Sequence, residues 1–515
     1  MPKEGHLPKH HQISAPKPST KLSGAEEPLI LTIDIGSSSI RTNLFDRLGR
    51  LIEDTEARRD TILNTAIDGK SEADPNLLIE LVSQCLDETV TKAKRASAQI
   101  KAVASCTLVS NILGVDQKNR AITPLFTYAD TRAEKEIPYL KQKLDEKIIH
   151  DRTGCPLHSS YLPAKMLWLY RTWPDLGRKV KRWVSIGEYL ELKLFGFATV
   201  SYSVASWTGL LNRRELIWDD LILQELPIDK NLLSPLTDIN VPRYGLRRTY
   251  SRRWPALKKI PWFPAIGDGV AANIGSGCLD SQRLALTMGT TSALRIVLNK
   301  PLENLPAGLW NYLVDKRRTL LGGALSEGGV IYSWMQQILN LQKFPNLEKA
   351  LSSLPPDSHG ITILPFISGE RAPGWASQAK MTIHGLSLAS NPLHILCAGL
   401  EAVAYRLAQV FELIQSRLPS SPQIIANGRP LLQSPTWLKI ITDVLGKPIC
   451  RSAIPEPSAR GAALLALESL GIVPNLASLP HFLGKVIEPD LAKHNLYQIA
   501  IARQKSLYAK LVKPG

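Results

Sequence analysis

The chain has 515 residues, 44% apolar and 21% charged, an ordinary globular balance that excludes a mostly disordered protein. At about 150 residues per domain, that length makes roughly two to four domains. Lys and Arg number 62 against 46 Asp and Glu, and the resulting +16 directs attention to anionic partners: nucleic acid, a membrane surface or small anions.

A spanning helix is not expected. The most apolar stretch, residues 184–200, is interrupted by Glu188, Glu191 and Lys193. The N-terminus carries no apolar secretory core. The cysteines Cys85, Cys106, Cys155, Cys278, Cys397 and Cys450 are scattered, which suits neither a disulfide framework nor a zinc site and fits a reducing compartment.

Residues 1–28 are rich in Pro, Lys, His and Ser without apolar period and read as a flexible tail. His6, His10 and His11 could bind a metal or simply be solvated. Tail charges nearly cancel, so the +16 arises elsewhere. Order is expected from Pro28. Residues 29–36 form a buried strand ending at Gly36, and residues 40–46 form a second after the turn Ser37, Ser38, Ser39. Residues 74–94 have helical spacing, 100–107 read as a strand, and 131–147 as a charged helix.

Half a chain later the first pattern recurs. Residues 284–289 end at Gly289, the turn continues Thr290, Thr291, Ser292, and a strand with Arg295 follows. The recurrence suggests two similarly built halves. Beyond it come helical patterns at 392–413, 435–445 and 458–470, and a strand at 423–426. Strands alternating with helices indicate an α/β architecture.

Three segments carry chemistry. Asp34 stands at a strand end beside Gly36, which lets backbone approach a bulky group, and beside Ser37, Ser38 and Ser39, whose hydroxyls and N–H groups suit phosphate. A carboxylate next to a phosphate turn makes sense mainly when a metal mediates; an ordinary hairpin with a capping Asp is the alternative. Gly289, Thr290 and Thr291 offer a second such turn, so two turns could grip one polyphosphate. Asp268, between Gly267 and Gly269, is either a general base that can approach a substrate closely or a helix cap before Val270.

In this order these segments resemble the FGGY carbohydrate kinases, from residue 29 to about residue 470. The C-terminal run Asn427-Gly428-Arg429, Ser434-Pro435-Thr436-Trp437 and Glu456-Pro457-Ser458-Ala459-Arg460-Gly461 resembles that family's adenosine-side motif. The resemblance implies two actin-like (ribonuclease H-like) domains with a catalytic cleft between them. The expected boundaries are residues 29–275 for a sugar-binding domain with the catalytic Asp, and 276–515 for a nucleotide-binding domain.

It also implies ATP- and Mg²⁺-dependent phosphorylation of a sugar, sugar acid or polyol, largely by positioning and charge stabilisation. Asp268 would be the base. Gly36, Ser37, Ser38, Ser39, Gly289, Thr290 and Thr291 would cradle phosphates, Asp34 would hold Mg²⁺ or its water, and Gly428 and Arg429 would lie by the nucleoside.

Tyr128-Ala129-Asp130-Thr131-Arg132 resembles the family's acceptor segment, so Asp130 and Arg132 are expected to contact substrate; a surface ion pair is the other reading. Segments around Cys155, Glu188, Trp207, Glu327 and Arg371 look most like gluconate kinases of the family. An Arg facing the pocket would suit a sugar acid.

Some residues depart from the family pattern: Ser110-Asn111 for a frequent His-Ser, Glu327 for Asn, adding negative charge near the cleft, and Arg429 for Gly, which could crowd adenine, stack on it or reach phosphate. The expected protein is a cytoplasmic gluconate kinase that binds a small sugar acid and ATP, without nucleic-acid or membrane partners and with a homodimer left open. The alternatives are a pentulose or polyol kinase, and a degenerate ligand-binding sensor or scaffold.

Part of the charge has an address. Residues 241–267 carry Arg243, Arg247, Arg248, Arg252, Arg253, Lys258 and Lys259 and no acidic residue. They form either a solvated face or a field drawing anions toward Asp268.

Overall fold

The computed structural model describes residues 17–512; His6, His10 and His11 lie outside that range. Its apolar runs form two seven-stranded sheets. The first contains β1 (Ser19–Thr20), β2 (Leu29–Ile35), β3 (Ser39–Phe45), β4 (Leu51–Ile52), β5 (Ala57–Asp60), β6 (Ile100–Thr107) and β7 (Ile266–Gly267). Their order is β1-β4-β3-β2-β6-β7, with β5 paired to β3. β2 and β3 are the expected antiparallel hairpin, Asp34 opposite Arg41. β6 adds in parallel on the other side of β2. Every residue of β2 is buried, so it reads as a continuous apolar run rather than an alternation.

Residues 17–28 correct the expectation of a tail running to residue 28. Ser19 and Thr20 pair with Leu51 and Ile52, and Ser19 donates to Glu53 at 2.7 Å. Edge pairing uses backbone groups, so it leaves no apolar period in the sequence.

Helix α1 (Pro75–Ala93) starts where Asp74 accepts from the Asn76 and Leu77 N–H groups, and it buries Leu78, Val82 and Leu86. The stretch 131–147 is not one helix. It breaks into a 3₁₀ turn (Arg132–Glu136), a helix (Ile137–Lys143) and the start of another (Glu146–Thr153), because Asp145 caps the last by accepting from Lys147 and Ile148. Helix α2 (Ile186–Phe195) follows, and α3 (Asp268–Gly275) continues directly from β7.

The second sheet contains β8 (Arg283–Met288), β9 (Ser292–Leu298), β10 (Trp310–Leu313), β11 (Thr319–Leu325), β12 (Gln423–Asn427), β13 (Ile449–Ser452) and β14 (Leu483–Ile487), in the order β10-β11-β9-β8-β12-β13-β14. Its helices include α4 (Gly329–Ile338), α5 (Pro392–Gln415), α6 (Pro435–Leu445), α7 (Pro457–Ser469) and α8 (Leu491–Leu511). Here too an antiparallel hairpin, β8–β9, takes a parallel neighbour, β12, on its first strand. β3-β2-β6 and β9-β8-β12 are thus one unit used twice, and the recurrence around Gly36 and Gly289 is its trace.

Helices α3 and α7 join the halves. A Cβ on Gly275 would overlap the Pro457 carbonyl, and one on Gly461 the Ala271 carbonyl. Glycine is needed at both positions for close approach of backbone. Around the crossing, Val270, Ala271 and Ile274 share one apolar cluster with Ala459, Ala462 and Leu464. All six cysteines are buried and free. Among the described residues no helix is long and apolar enough to cross a membrane.

Candidate active site

Asp34 is the penultimate residue of the buried run of β2 and is 8% exposed. Among the described residues its Oδ1 accepts only from the Cys106 thiol, at 3.3 Å, a weak donor. Burial pushes its carboxyl up to about 7; the Cys106 bond and Arg41 oppose this, while the Asp268 and Glu456 carboxylates add to it. Arg41 is itself engaged by Glu456 at 2.7 Å. In the adjoining turn, Gly36 N–H donates to the Ser39 carbonyl, and Thr61 binds the Ser37 and Ser38 carbonyls through its hydroxyl and N–H. Among the described residues no acceptor takes the Ser37 or Ser38 N–H.

Asp268 is the first residue of α3, and the cap position belongs to Gly267. The helix-cap alternative therefore does not describe it. Its Oδ1 accepts from the Gly269 N–H at 2.7 Å, and among the described residues no donor reaches Oδ2. Burial raises its pKa, opposed by the Arg295 charge and the Gly269 N–H.

Gly289 N–H donates to the Thr291 carbonyl. The Gly289 and Thr290 carbonyls receive the Gly329 and Val330 N–H groups, so they face the start of α4. On its other side the turn is open: a Cβ on Gly289 would meet nothing within 4 Å. Gly428 has φ +105°, and a Cβ there would overlap the Met288 carbonyl. Its closeness thus serves packing against β8, the strand that leads into this turn. Arg429 is exposed.

A cavity of about 210 Å³ separates the two halves beside these segments. Asp268, Ser110, Tyr128, Thr291, Arg295 and Arg371 are among its lining residues. One wall is an aromatic stack across the halves, Trp207 on Tyr312 at 3.7 Å between ring centres and Tyr312 on Trp310 at 4.3 Å. Trp207 Nε1 is buried without an acceptor. Ser110 lines the cavity, whereas Asn111 accepts from Ile186 N–H at the start of α2.

Asp130 and Arg132 do not line this cavity. Arg132 donates to Glu72 and Asp130, both at 2.5 Å, and lies 4.5 Å over the Trp168 ring. Asp130 also accepts from the Ser71 N–H. The fork of Arg132 is thus engaged by carboxylates, the ion-pair alternative to the expected substrate contact, although the pair is largely buried. The arginines at the cavity are Arg295 and Arg371. An Arg within the otherwise apolar strand 293–298 was the available signal for the first; for Arg371 there was none, because its neighbour Glu370 suggests an ion pair. In the fold Glu370 turns away to Arg406 and Tyr508.

Glu327 is buried next to this region, and burial pushes its carboxyl up to about 8. Its charged form is therefore disfavoured there, which works against the expected added charge. None of the basic residues of 241–267 lines the cavity; Arg253, for example, binds Asp87 on α1. A possible metal-ligand group elsewhere, His359, Cys397 and Glu401, is internally satisfied, since Glu401 accepts from His359 at 3.1 Å and Tyr405 at 2.9 Å.

Two family models match the chain: the N-terminal domain of the FGGY family of carbohydrate kinases over residues 29–275, and its C-terminal domain over residues 284–470. The gluconokinase of Bacillus subtilis is 24% identical, covering 88% of this chain and 90% of the relative. An apulose kinase of Pectobacterium atrosepticum is 28% identical over 93% and 98%. Among solved structures, a xylulose kinase from Lactobacillus acidophilus superposes with a TM-score of 0.88 at 24% identity, covering 94% of this chain and 99% of that one. A gluconate kinase from the same organism gives 0.87 at 23%, covering 94% and 98%. These structural likenesses show the fold.

Proposed function

The chain belongs to the FGGY family of carbohydrate kinases and is a phosphotransferase; on that footing we propose that it phosphorylates gluconate with ATP, Asp268 acting as general base. The observation that carries the reading is the Asp268 carboxylate, which faces the cavity with Oδ2 free of protein donors. The raised pKa makes it a better proton acceptor than an ordinary carboxylate near neutral pH. As the acceptor hydroxyl oxygen bonds to the γ-phosphorus, its proton passes to Asp268 Oδ2. The bond from that phosphorus to the β–γ bridging oxygen breaks, and ADP leaves with the electron pair.

The N–H groups of Ser37 and Ser38 and the open face of the turn at Gly289, Thr290 and Thr291 would receive phosphate oxygens. Gly36 and Ser39 close the first turn. Gly428 and Arg429 would flank the nucleoside.

Mg²⁺ fits Asp34. A buried carboxylate with one weak donor, crowded by Asp268 and Glu456, presents the oxygen ligands and the unmet negative charge that a hard cation answers. When bound, Mg²⁺ would neutralise phosphate oxygens, and Asp34 would hold it or its water. Six buried free thiols suit a reducing, cytoplasmic setting.

The test is an ATP-consumption screen over gluconate, xylulose and glycerol. ADP release dependent on gluconate is expected. Turnover on xylulose alone would retire gluconate and keep the kinase; no turnover on any acceptor would overturn the catalytic reading.

A further inference from the structure

We propose that Arg295 and Arg371 form an anion subsite that takes the carboxylate of the sugar acid and thereby sets acceptor specificity. This rests on the kinase reading above and deepens it.

Both side chains line the cavity that holds Asp268. The Nε of each is buried without an acceptor, and among the described residues neither guanidinium forms an ion pair. Among the described residues the Arg295 guanidinium makes one hydrogen bond, from Nη1 to Thr287 at 3.3 Å. Arg371 lies 5.9 Å over the Tyr128 ring, reaching from the second half of the chain to the first. The carboxylate that could neutralise Arg371, its neighbour Glu370, is engaged by Arg406, Tyr508 and the Gly374 N–H.

Two guanidinium groups that disfavour each other's charge share this pocket with one carboxylate, Asp268, which acts on Arg295, so an anion from outside meets an excess of positive charge. A guanidinium fork matches the two oxygens of a carboxylate.

A carboxylate on the acceptor fits better than a nucleotide phosphate. The cavity, about 210 Å³, is smaller than the roughly 300–1,000 Å³ typical of drug-sized ligands. Its aromatic wall suits the C–H faces of a short carbon chain. Gly269 lets its backbone pack closely here: a Cβ there would stand 3.5 Å from Arg295 Nε and overlap the Trp207 ring at 2.9 Å.

The experiment has a kinetic arm and a binding arm. Arg371→Gln and Arg295→Gln are each expected to lose about 10- to 100-fold in kcat/KM on gluconate, the scale of one or two charge-assisted hydrogen bonds. Losses on xylulose or glycerol should be much smaller, and KM for ATP should move little. Arg371→Lys, which keeps the charge, should recover part of the gluconate activity; a thermal melt of each variant checks folding.

Equal losses on acid and neutral acceptors, or a loss carried by KM for ATP, would overturn the subsite. In the binding arm, calorimetry with gluconate needs no turnover. Asp268→Asn should still bind gluconate, and Asp268→Asn combined with Arg371→Gln should not. If gluconate binds neither wild type nor Asp268→Asn, the subsite is refuted whatever the kinase does. If it binds through the arginines while no acceptor is phosphorylated, the kinase reading fails and the subsite stands.

Discussion

Replacing Asp34 by Asn separates what the residue does for function from what it costs the fold. Burial raises its carboxyl from the ordinary 3.8 to about 7. Below 3.8 the folded and unfolded chains both hold the proton, and Asp34 carries no penalty. As pH rises from there to about 7, the unfolded chain releases the proton while the folded one keeps it, so stability is lost through that window. Above it the full cost is at most about 4 kcal/mol, at 1.36 kcal/mol for each tenfold step.

Asn keeps the shape and an oxygen that can accept from Cys106, but never ionises. Asp34→Asn should therefore melt with wild type near pH 4 and above it at pH 8. The gap at pH 8 should be several degrees, given about 2–4 °C per kcal/mol for a domain of 150–250 residues. Added Mg²⁺ should raise the melting temperature of wild type more than that of the variant, whose ATP turnover should collapse. Thermal melts at the two pH values without nucleotide are the assay. A gap that is independent of pH, or a variant less stable at pH 8, would refute the reasoning.

Gly289→Val leaves the fold undisturbed, because space is open around that Cα. It should raise KM for ATP at least about tenfold, a loss of about 1.4 kcal/mol; unchanged KM would remove this turn from the phosphate site. Gly461→Val drives a side chain into the Ala271 backbone where α3 and α7 cross. Overpacking there should cost about 1–3 kcal/mol or more, read as a lower melting temperature; an unchanged melt would mean the helices can separate freely.

The two hairpins were legible because buried strands ending at glycine leave continuous apolar runs, as in residues 29–36 and 284–289. Helices such as Pro75–Ala93 and Pro435–Leu445 were legible from their spacing. The pairing of Ser19 and Thr20 was not, since backbone hydrogen bonds at an edge require no particular side chain. Side-chain partners were harder still. Asp130-Thr131-Arg132 and Glu370-Arg371 look alike as charged pairs. Tertiary neighbours decide otherwise: Glu72 folds onto Arg132, while Arg406 draws Glu370 away and leaves Arg371 at the cavity. Asp268 could be read as cap or base, and the fold gives the cap position to Gly267. The bulk excess of positive charge pointed toward anions, but the arginines lining the cavity are two that the basic segment 241–267 does not contain.

The most direct measurement is the turnover of Asp268→Asn with ATP and gluconate, alongside calorimetric binding of both ligands. A fall in kcat of at least about 10²-fold with binding retained is expected for loss of the general base. Turnover equal to wild type would contradict the role of Asp268 on which the catalytic reading depends.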